Sequence, residues 1–200
     1  LILCLSGRDL WATEWLWAND LPLGAPLPEF SVVDASSSVI PVQSLYGKED
    51  FAVFQSQYRM VTLLHQQLVE LSKHGPELQG KGVNVAAILY DSPATLKRFS
   101  EKYGITFPVL SDPDSSAIIQ LGLLNPNYDP SSKYYGVPYP GVFLVDSKGI
   151  IVGKFAEQSY RDRPLMEHLI RAVNELIEAL LITFGDLAWG PWLLILLLGG

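Results

Sequence analysis

YDSPATLKRFSEKYGITFPVLSDPD, residues 90–114, and GVPYPGVFLVDSKGIIVGKF, residues 136–155, carry the pattern that decides the fold. In the first stretch Asp91 and Ser92 stand before Pro93, a polar cap followed by a proline in the first helical turn, where a missing N–H breaks no hydrogen bond. The spacing predicts a helix from Pro93 to Tyr103 that stops at Gly104. The apolar FPVL then reads as a short strand, and SDPD, residues 111–114, as the cap of a brief helix through Leu121. In the second stretch GVFLVD and IIVGKFA flank a Ser-Lys-Gly turn, which predicts a hairpin. Residues 122–139, rich in Asn, Pro, Tyr and Ser, read as a long loop of the kind that is uncommon unless functional or mobile.

Towards the N-terminus, VNVAAIL at 83–89 and FAVFQS at 51–56 are apolar runs long enough for buried strands and too short for buried helices. Between them Val61, Leu64, Leu68 and Leu71 recur at spacings of three and four, with Gln66, Gln67, Glu70 and Lys73 facing away, the period of an amphipathic helix. Gly75, Pro76, Gly80 and Gly82 predict its end around residues 74–82. FSVVD, ASSS and VIPV, residues 30–42, read as an N-terminal hairpin. Towards the C-terminus, Leu165, Leu169, Val173, Leu176 and Leu180 form one stripe of a long helix from Pro164 to about Leu181. Strands alternating with helices predict an α/β domain with a mixed, mostly parallel central sheet, helices on both faces and antiparallel edge strands from the late hairpin.

These motifs resemble, in order and spacing, the redoxins and peroxiredoxins of the alkyl hydroperoxide reductase and thiol-specific antioxidant kind. The Asp-Ser-Pro helix start, Phe-Pro-x-Leu-Ser-Asp-Pro and Tyr-Pro-Gly-x-Phe-x-x-Asp occur here as in that family's second half, and GAPLPEFSVVDASSSVIPVQSLYG resembles its N-terminal hairpin. The resemblance covers about residues 24 to 180 and implies a thioredoxin-like fold.

It also implies where chemistry should sit: at the junction of the first central strand and the following helix. There the helix N-terminus stabilises a cysteine thiolate. Anchored on Gln-Leu-x-Glu-Leu, the family's redox motif falls on Val61, Thr62, Leu63 and Leu64, and no cysteine is among them. Cys4 is the sole cysteine of the 200 residues, which excludes an intrachain disulfide, a two-cysteine cycle and a cysteine-rich zinc site. Pro140 matches the proline that precedes a sheet strand in thioredoxin-like folds and is usually cis there; the competing reading is a trans proline opening a strand.

Other groups near the motif weigh less. His65 has the chemistry of a general base, but a lone histidine on a polar helix face is more often solvated. Thr62 lacks the neighbouring base and orienting acid of a nucleophile. Tyr58 and Arg59 suit an anion, with ordinary surface residues as the blander reading. Three histidines, His65, His74 and His168, in no ligand-like spacing, and no glycine-rich phosphate loop, give no metal and no cofactor. A formal net charge of -7 with 14 basic residues spread along the chain argues against nucleic acid.

The ends differ from the domain. LILCLSG is apolar but has no basic region before it, and Leu3 stands where a lipoprotein signal wants a small residue, so a leader is the simpler reading. In RDLWATEWLWA, residues 8–18, Leu10, Trp11, Trp15 and Leu16 make a short amphipathic helix with Asp9 and Glu14 opposite. Pro22, Pro26 and Pro28 then impose an extended linker. After Leu181 the chain becomes apolar, unbroken from Trp192 to Leu198, and resembles the start of the first membrane helix of sodium:alanine symporter family proteins. Three segments are expected: a leader at 1–23, a redoxin-like domain at 24–182 and a tail at 183–200 that begins a membrane segment, within a piece of a longer protein. The setting this favours is cytoplasmic or membrane-associated.

The function expected is that of a redox-inactive module whose former redox groove takes a protein or small-molecule partner, with a membrane contact through the tail. The alternative is a thiol peroxidase or oxidoreductase that uses Cys4 or a partner's cysteine.

Overall fold

The computed structural model describes residues 21–46, 51–57, 62–132, 135–136, 138–139 and 141–156, together with 170–171, 174–175 and 178 of a C-terminal helix. In chain order the elements are β1 (Ser31–Val33), β2 (Val39–Pro41), a 3-10 turn (Val42–Leu45), β3 (Phe51–Gln57), α1 (Thr62–Gly80), β4 (Val83–Leu89), α2 (Pro93–Tyr103), β5 (Val109–Ser111), α3 (Ser116–Gln120), β6 (Gly141–Val145) and β7 (Ile151–Ala156). One sheet orders them β2-β1-β5-β4-β3-β6-β7.

Period-two alternation along β4 divides the core. Val83, Val85, Ala87 and Leu89 pack on one face with Leu68, Leu71 and Leu78 of α1, Leu96 and Phe99 of α2, and Ile170. Ala86 and Ile88 pack on the other with Ala117, Ile118 and Leu121 of α3 and with Phe30 and Val32 of the N-terminal hairpin. The sheet is mixed, as expected, but less parallel than the alternation of strands and helices suggested. Among the described strands only β3–β4 and β4–β5 are parallel; β6 enters beside β3 in the antiparallel sense, and the hairpins add three more antiparallel pairings. The late hairpin therefore contributes an interior strand, β6, as well as the edge strand β7.

A second correction concerns α1, which runs through Gly75 and Pro76 to Gly80 rather than breaking there. Pro76 has no N–H to give the carbonyl of Ser72, four residues earlier. Thr106 supplies the missing donor from the loop before β5. Its hydroxyl lies 3.4 Å from the Ser72 carbonyl, and its own N–H donates to Ser72 Oγ at 3.0 Å. With the backbone polarity answered, burial of Leu78 on the same stripe as Leu68 and Leu71 holds the last turn. Replacing Thr106 by valine keeps the shape and removes the hydroxyl; it is expected to cost about 1–2 kcal/mol, read as a lower urea midpoint at unchanged slope. An unchanged midpoint would show that the proline is accommodated some other way.

The α2 boundaries follow the sequence. Ser92 is the N-cap with Pro93 following, and Gly104 closes the helix in the left-handed conformation at φ 63°, which glycine adopts without side-chain strain. The 122–139 loop is pinned at its described ends. Tyr139 N–H donates to Leu123 O at 2.7 Å, and Leu124 bridges Pro138. Ser115 Oγ donates to Gly136 O at 3.1 Å. Gly136 sits at φ 91°, where any Cβ would also strike Ser115.

Candidate functional site

The parallel strands end together. β3 finishes at Gln57 opposite Leu89, the last residue of β4, and β6 begins at Gly141, one step back opposite Ser56. From this edge α1 departs, and its first three residues are Thr62, Leu63 and Leu64. Three of the four expected motif positions therefore form the first turn of a 19-residue helix, the end at which backbone N–H groups have no partner within the helix. Val61 lies outside the described residues, as do Tyr58, Arg59, Cys4, His168 and the tail at 183–200. Pro140 does too, so the expected cis bond is not described; the strand that follows it in sequence begins at this same edge.

Two further elements converge here. Ser111 Oγ donates to the carbonyl of Asp91 at 2.6 Å, tying the start of α2 to the end of β5. Asp112, only 1% exposed, turns back over α3: its carboxylate accepts from Ile118 N–H at 2.9 Å, from Ala117 N–H at 3.2 Å and from Ser116 Oγ at 3.3 Å. Burial pushes its pKa up, and the two backbone donors pull in the opposite direction. The SDPD motif had signalled a cap; which carboxylate reaches which N–H depends on the left-handed Ser115, at φ 60°. Tyr139 was not singled out from sequence. Its hydroxyl accepts from Asn127 Nδ2 at 3.2 Å and so braces the loop immediately before Pro140.

His65 is the fourth residue of α1, and His74 lies far along the helix with Nδ1 3.6 Å from Glu77 Oε2, where it pairs on the surface. Among the described residues no three His, Cys, Asp or Glu side chains gather as metal ligands. A cleft of about 350 Å³ opens between the β1–β2 turn and α2, lined by Asp34, Ser36, Lys97 and Phe107, but it lies at the opposite edge of the sheet from the motif positions. Among the described residues no helix is long and apolar enough to cross a membrane.

A strand-to-helix junction beside the start of an antiparallel strand is the arrangement expected of a redoxin, and the AhpC/TSA family pattern matches residues 23–154. The chain belongs to the AhpC/TSA family. Alkyl hydroperoxide reductase E of Mycobacterium tuberculosis (strain ATCC 25618 / H37Rv) is 27% identical to it over 158 residues, covering 77% of this chain and 99% of that protein. Peroxiredoxin Bcp of Escherichia coli (strain K12) is 29% identical over 137 residues, covering 66% of this chain and 84% of that protein. The crystal structure of peroxidoxin BcpB from Mycobacterium tuberculosis superposes with a TM-score of 0.67 at 14% identity, over 80% of this chain and 97% of that one, a likeness of fold. This AhpC/TSA chain thus has the family's α/β thioredoxin-like architecture.

Proposed function

We propose that this chain is a redoxin scaffold without thiol chemistry of its own in the domain, used as a binding module through the edge where β3 meets α1. The observation that carries the reading is that no cysteine occurs from Gly24 to Gly200. Reducing a peroxide requires a thiolate sulfur to attack one oxygen, give up two electrons and become a sulfenic acid while the second oxygen leaves as water or alcohol. A later thiol must then return those electrons. Valine and leucine offer no lone pair for the first step, and a threonine hydroxyl cannot cycle between these oxidation states. What the edge retains is positional: a helix N-terminus, a braced loop and the ends of the parallel strands, which suit recognition of a partner. Incubated with a hydroperoxide and either thioredoxin or dithiothreitol, the protein is expected to show no turnover above buffer; robust turnover overturns the proposal.

A second reading is supported by the family and by relatives named as hydroperoxide reductase and peroxiredoxin: a thiol peroxidase or oxidoreductase that uses Cys4 or a partner's cysteine. Fold alone confers no activity, so within the chain this reading stands on the one thiol. The Cys4→Ser variant separates the two, because activity that depends on Cys4 disappears with it.

A further inference from the structure

β5 presents backbone groups on its outer side that no strand takes up. In its parallel ladder with β4, Ala87 N–H donates to Pro108 O at 3.0 Å and Asp112 N–H to Leu89 O at 2.7 Å, so residues 108, 110 and 112 turn their backbone groups towards β4. Val109 and Ser111, which alternate with them, turn theirs the other way, towards β1. Ser111 meets Val33 there, in the one pair among the described residues that joins β5 to β1. Beyond Val33 the chain leaves the strand: the Asp34 carboxylate accepts the N–H groups of Ser36 and Ser38, both at 2.8 Å, and folds residues 34–38 into a turn. Among the described residues no backbone hydrogen bond runs from that turn to Val109.

The cleft of about 350 Å³ between the β1–β2 turn and α2 opens at this place, with Val109 in its wall. Val109 is buried, and a buried N–H and C=O turned towards a cleft require a partner. The ladder also fixes the face on which a partner's side chain would lie. Residues directly opposite each other in an antiparallel pair share a face of the sheet, and the Val109 side chain is on the face that packs against Leu96 and Phe99 of α2. Lys97 lines the cleft from that helix. Among the described residues it forms no ion pair, whereas the Asp34 carboxylate is taken up within its own turn.

We propose that this cleft takes an extended peptide segment of a partner protein, laid antiparallel along β5 in line with β1, with an acidic side chain on the residue opposite Val109. That residue exchanges two backbone hydrogen bonds with Val109, which give the segment its register. Its carboxylate meets the ammonium of Lys97, which selects the side chain. The site is separate from the edge where β3 meets α1 and does not depend on the reading of that edge.

Amide spectra of the isotope-labelled full chain, titrated with the peptide acetyl-Val-Thr-Glu-Thr-Val-amide, test this. The Val109 amide signal is expected to move downfield and its hydrogen exchange to slow, with smaller shifts at Ala35 and Leu110 and none at Thr62 to Leu64. The same peptide methylated on the glutamate nitrogen, which has no N–H to give the Val109 carbonyl, is expected not to bind. A peptide with lysine in place of the glutamate is expected to bind about fivefold more weakly. Lys97→Glu, a change at an exposed position, is expected to reverse that order of preference. Equal affinity for the glutamate and lysine peptides, binding that survives the N-methyl group, or shifts centred away from Val109 would each overturn the proposal. So would the absence of any shift, which would leave Lys97 as a charge that guards an unpaired strand edge.

Discussion

Replacing Asp112 by alanine is expected to destabilise the protein by about 2–4 kcal/mol, because two buried N–H groups lose their hydrogen-bond acceptor. The carboxylate of Asp112 holds the N–H groups of Ala117 and Ile118 at the start of α3. Ala117 and Ile118 are themselves fully buried, so water cannot take over without opening the layer they pack in. The pH dependence has a definite sign. Burial raises the pKa of Asp112 in the folded protein, so the stability this titration contributes is fully present below the unfolded-state pKa and is lost as pH rises through the folded one. The stability difference between wild type and Asp112→Ala is therefore expected to be larger in acid and to narrow on that rise. Urea unfolding of both proteins across the acid range measures it; a difference that widens instead would mean that the backbone donors, rather than burial, dominate the carboxyl.

The second large effect is chemical. Leu64→Cys, in a Cys4→Ser background, places a thiol at the third residue of α1, where the helix N-terminus favours an anion. The new thiol is expected to titrate below the unperturbed cysteine value of about 8.5. The exchange of leucine for the smaller cysteine is expected to cost no more than about 1–3 kcal/mol, which a domain of ordinary stability survives. Full peroxidase activity is not expected, because the family's proline and threonine are missing at their usual spacing before its cysteine and nothing else orients a peroxide. Titration of thiolate absorbance decides the matter. A pKa at or above that of free cysteine would mean that residue 64 does not occupy the redox position.

The element order was legible because its signals are local. Alternation in β4, the leucine spacing of α1 and the Ser92–Pro93 start of α2 each lie within a dozen residues. What was not legible depended on distant partners. Pro76 reads as a helix stop until Thr106, thirty residues away in sequence, is seen to answer the Ser72 carbonyl. The antiparallel entry of β6 beside β3 follows from how the chain crosses the sheet after α3, which no short pattern encodes. At the site, the resemblance anchored on Gln-Leu-x-Glu-Leu put the expected motif at Val61–Leu64, and the structure starts α1 at Thr62. The bracing of Tyr139 by Asn127 was not legible, since both lie in a loop whose course is set by Ser115 and Leu123.

Hydroperoxide consumption by the wild-type chain and by Cys4→Ser, measured side by side with thioredoxin or dithiothreitol as electron source, tests the central claim most directly. Both proteins are predicted to match the buffer rate, because neither has a sulfur in the domain that can be oxidised to sulfenic acid and reduced again. Turnover by the wild type that vanishes in Cys4→Ser would contradict that account and make Cys4 the working thiol of a peroxidase.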